Sequence, residues 1–263
     1  MWRSTRYKPG EFETILRQLG KISSLFKSPG LSMKHFMVDW LHAMDIGVSQ
    51  TILGNVLWEC LDMLFPGISK KLQVTELWKK LRAWYKDNKP PAQFDALTIE
   101  MLKLPGKGPK LRSKAAECRY LLPFGVLVAR ECNDGSQHRV AVCGAMESLF
   151  NLAVSMSTDP YNSDQAVLQS RRLGLLLVSL ETEATAQGDE LSWRVKPKLH
   201  MMQELIEYLG PELGSARFFW TYQDESWGGW LSNTAARRGG PKHASTVALG
   251  LLSRWRCLVS AKL

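Results

Sequence analysis

Apolar residues recur three and four positions apart along most of this chain, while few segments alternate with a period of two. That pattern builds helices with one buried face and leaves little material for half-buried strands. Phe12, Ile15, Leu16, Leu19, Ile22, Leu25 and Phe26 make one such face over 12–26, and Ser28-Pro29-Gly30 ends it. Ile52, Leu53, Val56, Leu57, Cys60, Leu61 and Leu64 make a second. It opens at Gly47-Val48-Ser49 with Ser49 as the predicted N-cap, and Pro66-Gly67 closes it. Residues 72–86 carry a third, stopped by Asn88-Lys89-Pro90-Pro91. Further helices are predicted over about 114–132, 137–156 and 163–187, from Lys198 to Leu209 before Gly210-Pro211, and in a final stretch holding Val247, Leu251 and Trp255. One short run, His35-Phe36-Met37-Val38-Asp39, reads as a buried strand, and no internal repeat is visible.

Composition narrows the class. The chain has 263 residues, 45% hydrophobic and 22% charged, which excludes a disordered, collagenous or coiled-coil rod protein. No uninterrupted apolar run is long enough for a transmembrane helix, and none follows Met1 as a signal peptide would require. Five cysteines without a Cys-x-x-Cys pair fit small core residues of a reducing compartment, hence an intracellular protein. The segment 103–113 is basic and rich in Gly and Pro, but it lacks the spacing of a nucleotide-phosphate loop.

The net charge of +9 is concentrated at the two ends. Residues 1–35 carry seven Lys/Arg against two Glu, and residues 216–263 carry seven against Asp224 and Glu225. If the ends meet, Arg217, Arg237, Arg238 and Lys242 form part of a surface for an anionic partner such as DNA. Two carboxylate-bearing segments are candidates for metal chemistry: Asp39-Trp40-Leu41-His42, and Trp220-Thr221 followed by Asp224-Glu225. Each has a plain alternative, an acid at a helix start where it caps and meets the dipole. His200 stands without a second His at metal-ligand spacing, so zinc is not expected.

Taken in order, these segments resemble eukaryotic cut-and-paste DNA transposases of the CACTA type. Val38-Asp39-Trp40-Leu41-His42 resembles their Asp-x-x-His signature. Lys114-Ala115-Ala116-Glu117-Cys118-Arg119 resembles a helix of their insertion, with Cys118 in place of a Trp. Lys196-Pro197-Lys198-Leu199-His200, then Trp220-Thr221, Glu225, Gly229 and Leu231, resembles their closing element. The resemblance covers roughly residues 33–235. It implies an incomplete RNase H-like core of few short strands within a mainly α protein, split by a large helical insertion. The implied division is 1–65 for the N-terminal helix and partial core, 66–195 for the insertion, and 196–263 for the helices completing the core.

It further implies Asp39 and Glu225 as catalytic acids and Mg²⁺ or Mn²⁺ ligands, with His42, Asp224 and His200 in support. Only 38 residues precede Asp39, and Glu11 and Glu13 lie in the first helix, so the first acid of the set is missing. The expectation is therefore a transposase-derived remnant, inactive alone, that contacts DNA through its basic ends and is intracellular, with the nucleus implied by the family. No membrane and no small-molecule cofactor are expected; a homo-oligomer or a missing N-terminal segment are further partners. Two alternatives stay open. One is an active metal-dependent nuclease or transposase, with Asp45, Asp224 or a second subunit supplying the third acid. The other is a helical scaffold or a fragment without function.

Overall fold

A computed structural model describes residues 11–20, 38–218, 220–222, 226, 228, 229, 232 and 233. The chain divides into two compact units, Met1–Ala216 and Arg217–Leu263. In the first, α1 is Glu11–Gln18 and ends at Gly20, whose φ of 63° is a left-handed stop. A helix starting at Trp40 runs through a π-helical stretch, Leu41–Ser49, straight into α2, Gln50–Leu64. Then come α3 (Lys70–Asn88), the short α4 (Ile99–Leu102), α5 (Ala115–Glu131), α6 (Gln137–Ser155) and α7 (Ser163–Ala186). α8 (Pro197–Glu204) passes through a π turn, Leu205–Leu209, into α9 (Gly210–Leu213).

Among the described residues there is no β-strand. The expected RNase H-like core, with its few short strands, is therefore corrected to an all-helical body. Val38 and Asp39 lead into a helix rather than ending a strand, and residues 35–37 of that predicted strand lie outside the described residues. The physical reason is in the pattern: few segments offer the period-two alternation that a half-buried strand requires, and most of the chain carries helical periodicity.

Three helix boundaries also differ from the sequence reading, the first being the helix expected over 12–26, which ends at Gln18. Ser49 is not a cap: its φ of −62° and ψ of −44° are helical and its side chain caps nothing. Gly47 punctuates nothing either. A Cβ there would sit 2.7 Å from Lys198 Cδ, so the glycine lets α8 lie close against the π stretch. At the other end Gly210-Pro211 does not stop the helix, which continues to Leu213 before Gly214 turns left-handed at φ 84°. The π turn just before Pro211 widens the ladder where proline offers no N–H and its ring would crowd an α-helical carbonyl.

The packing centres on α2. It lies against α3, α5 and α6, α5 also covers the π stretch, and α6 packs along α7. Trp40, Met44, Leu53, Leu57, Leu77, Phe124 and Leu149 are sealed in the resulting core. Burial of several such side chains, at about 1.5–3 kcal/mol each, is what holds helices of this length in place. Caps sharpen the ends. Ser69, Ser136 and Asn162 accept hydrogen bonds from the first turns of α3, α6 and α7. No helix among the described residues is long and apolar enough to cross a membrane. Of the second unit, the Arg217 guanidinium lies 4.9 Å from the centre of the Phe218 ring, and Trp220 and Tyr222 meet edge to face at 5.2 Å.

Candidate functional site: an apolar cleft lined with cations

Within the first unit, a cleft of about 460 Å³ opens between the start of α2, α7, α8 and two loops. Gly47 and Val48 of the π stretch and Thr51 and Ile52 of α2 form one side. Leu177 of α7 and Leu199 and Met201 of α8 form the other. The loop Trp193–Pro197 and Lys110, from the loop between α4 and α5, complete it.

Two residues of α2 fix both loops, and each is placed for this by helix geometry: Asn55 and Glu59 stand one turn apart on the same face. Asn55 is buried, and all its amide valences in the site are spent on backbone. Its Nδ2 donates to Thr51 O at 2.8 Å and to Pro109 O at 3.3 Å, and its Oδ1 accepts from Trp193 N at 3.0 Å. Glu59 Oε1 accepts a short hydrogen bond from Trp193 Nε1. Its Oε2 meets His138 Nε2 at 3.0 Å and Arg139 Nη1 at 3.3 Å. His138 Nδ1 in turn lies 2.9 Å from Glu183 Oε2 on α7. Burial alone pulls the His138 imidazole down, but the two carboxylates outweigh it and hold it above its ordinary value. This network fastens Trp193 in a left-handed conformation, φ 55°, that a bulky side chain rarely adopts.

The other loop is held as closely. Leu111 N donates to Gln50 O at 2.8 Å, Lys110 N to Leu102 O at 2.9 Å, and Gln50 Nε2 to Ser113 O at 2.7 Å. Gly54 makes room for this: a Cβ there would fall 2.4 Å from Lys110 Cα. Gly108 does the same for the second loop, since its Cβ would fall 2.1 Å from Leu191 O.

Four cations therefore line one apolar cleft: Lys110, Arg194, Lys196 and Lys198. None of them forms an ion pair with a described carboxylate. Burial first, then the charges of Lys196, Lys198 and Arg112, push the Lys110 ammonium below the usual lysine range. Burial and Arg194 do the same to Lys196. The lining holds no His, Cys, Asp or Glu, so it offers neither a carboxylate-imidazole pair for acid-base work nor a metal-ligand set.

None of the described site residues expected from the sequence lines this cleft. Asp39 Oδ2 accepts from His42 N at 3.0 Å and lies 2.5 Å from His42 Nδ1, so the Asp-x-x-His spacing makes an N-cap that binds its own third residue. Asp45 is fully buried in the π stretch, and His200 is exposed on α8. Asp224, Glu225, Arg237, Arg238 and Lys242 lie outside the described residues, and Arg217 carries the Phe218 contact already noted. The other two family-like segments are also helix starts. Glu117 Oε2 accepts from Lys114 N at 2.7 Å, half of a capping box, and Pro197 occupies the first turn of α8. Among the described residues no group of three or more His, Cys, Asp and Glu could hold a metal ion.

No family model, curated protein or solved structure matches the chain. Together with the strandless body and the absence of a metal cluster among the described residues, this overturns the transposase resemblance. With it go the transposase-derived and nuclease functions read from it. What the described parts of these segments share is their place at helix N-termini, which recurs in unrelated helical proteins.

Proposed function

We propose that this chain is a non-catalytic helical scaffold carrying a preformed binding cleft. The observation that carries this reading is the use made of its most chemistry-bearing cluster. Glu59, His138, Arg139 and Glu183 bond to one another and to Trp193, and so fasten a loop, instead of facing the cleft. Side chains spent in this way supply rigidity, and a rigid cleft binds with little ordering cost.

Native-state hydrogen exchange on the purified chain tests the reading. The amides of Trp193 and Leu111, bonded to Asn55 and Gln50, should exchange as slowly as those of the α2 core. Exchange at the rate of exposed loop amides would mean the cleft is not preformed. In parallel, supercoiled plasmid incubated with the chain and Mg²⁺ or Mn²⁺ should stay intact; metal-dependent nicking lost in Asp39→Ala would overturn the non-catalytic reading.

A further inference from the structure

We propose that the cleft binds a single-chain amphiphilic anion, its alkyl tail against Ile52, Leu177 and Leu199 and its carboxylate or phosphate head among Lys110, Arg194, Lys196 and Lys198. This rests on the reading of the cleft as a site that binds without reacting.

Size and lining select the tail. The volume of about 460 Å³ falls in the range of small-molecule sites. At about 30 Å³ for a methylene-sized group, it has room for roughly a dozen such groups. The interior is aliphatic, and Trp193 presents little surface, being 2% exposed, so it is no platform for stacking a base or a sugar. Lys198 adds to the apolar wall, because its Cδ and Cβ lie against Gly47.

Charge selects the head. Four cations line one cleft and none of them ion-pairs with a described carboxylate, while Glu181 Oε1 accepts from Val195 N at 2.8 Å, between Arg194 and Lys196. Burial first, and the neighbouring cations after it, depress Lys110 and Lys196. An anion entering the cleft would turn the repulsion among these cations into attraction, stronger beside the half-buried Lys110 and Lys198 than beside the exposed Arg194 and Lys196. The first turn of α8, which begins at Pro197 with no side-chain cap, adds a dipole of the same sign. The cations are also held in place: the Lys110 backbone by Leu102 O and by the close approach to Gly54, and the loop carrying Arg194 and Lys196 by Asn55 and Glu59. Neutral amphiphiles satisfy only the walls, and small polar anions satisfy only the cations.

Isothermal titration calorimetry on the full chain, with ligands kept below their micelle concentration, separates these cases. Dodecanoate and dodecyl phosphate should bind one per chain with micromolar affinity. Dodecanol and inorganic phosphate should each bind at least roughly tenfold more weakly, the equivalent of losing one charge-assisted contact. The double variant Lys110→Gln/Lys198→Gln should weaken both anionic amphiphiles by a similar factor and leave dodecanol unchanged. Its thermal midpoint, equal to or above that of the parent because like charges are removed, certifies that it folds. Absence of dodecanoate binding, binding indifferent to the double variant, or phosphate binding as tight as dodecanoate would each overturn the proposal. So would displacement of dodecanoate by a DNA duplex at equal concentration, which would assign the cations to a nucleic acid. Ligand recovered chemically unaltered keeps both readings. Altered ligand would overturn the non-catalytic scaffold and leave the ligand class standing, whereas no binding with slow exchange at Trp193 and Leu111 would sink the ligand class alone.

Discussion

Gly54→Ala should destabilise this protein although it places a better helix former in the middle of a helix. The gain is about 1 kcal/mol from propensity. Against it stands the loop on the far side of α2. A Cβ at Gly54 would lie 2.4 Å from Lys110 Cα, 2.5 Å from Leu111 N and 2.6 Å from Lys110 C, all backbone atoms. Ordinary contact begins near 3.4 Å, so the loop must retreat by about 1 Å. Leu111 N now sits 2.8 Å from Gln50 O, and Asn55 Nδ2 sits 3.3 Å from Pro109 O. A retreat of that size breaks both bonds, at about 1 kcal/mol each, and loosens the fully buried Leu111 side chain by a further ~1 kcal/mol. The net loss is about 2 kcal/mol, or a midpoint lowered by roughly 4–8 °C for a chain of this size. Differential scanning fluorimetry reads this directly. Gly144→Ala is the control, because there the nearest atom is Leu176 Cδ1 at 3.3 Å, the movable end of a side chain. It should be neutral or slightly stabilising. A Gly54→Ala protein as stable as the parent would refute the claim that this glycine exists to admit the Lys110 loop.

Two further outcomes follow from side chains already described. His138 titrates above its ordinary value because Glu59 and Glu183 overcome its burial, so its protonated pair stabilises the fold fully below about pH 6.5 and the contribution fades as pH rises through the raised value. Urea midpoints should therefore fall as pH rises above about 6.5, and His138→Gln should flatten that slope; an unchanged slope would remove the histidine from the account. Asp39→Ala should cost about 1 kcal/mol as a lost cap, while Asp39→Asn, which keeps the acceptor, should cost a few tenths, both by urea denaturation and both without any response to Mg²⁺. Equal losses in the two variants would mean that the charge, not the cap, matters.

Helix periodicity was readable from the chain itself: the helices expected over 114–132, 137–156 and 163–187 are Ala115–Glu131, Gln137–Ser155 and Ser163–Ala186. Local pattern suffices there because each face packs along its whole length. It fails where tertiary contact overrides a local rule. Gly47 and Gly54 look like punctuation or weak helix formers, and only the structure reveals what passes over them. The π stretch escapes a search for a 3.6-residue period, so the sequence pattern places the helix start at Gly47–Ser49. Asp39 and Glu117 sit in family-like segments because helix caps draw on the same carboxylates as catalytic sites. The cleft was invisible as a unit, since Gly47, Lys110, Leu177 and Lys196 come from four distant parts of the chain. Its traces were nonetheless present. The basic loop 103–113 fails as a nucleotide loop yet supplies Lys110, and Arg194, Lys196 and Lys198 crowd around the start of α8.

The π-helical run Leu41–Ser49 gives this chain a store of slack. Each turn there closes on the fifth residue back instead of the fourth, so the stretch holds more residues than an α-helix of equal length would need. A single-residue deletion inside it can be absorbed by tightening to α geometry, leaving α2 in place with Asn55 and Glu59 still facing their loops. The same deletion within α2, where no slack exists, would rotate every later side chain by about 100° and turn that face away from Trp193. Variation in chain length should therefore be tolerated within Leu41–Ser49 and disfavoured within Gln50–Leu64.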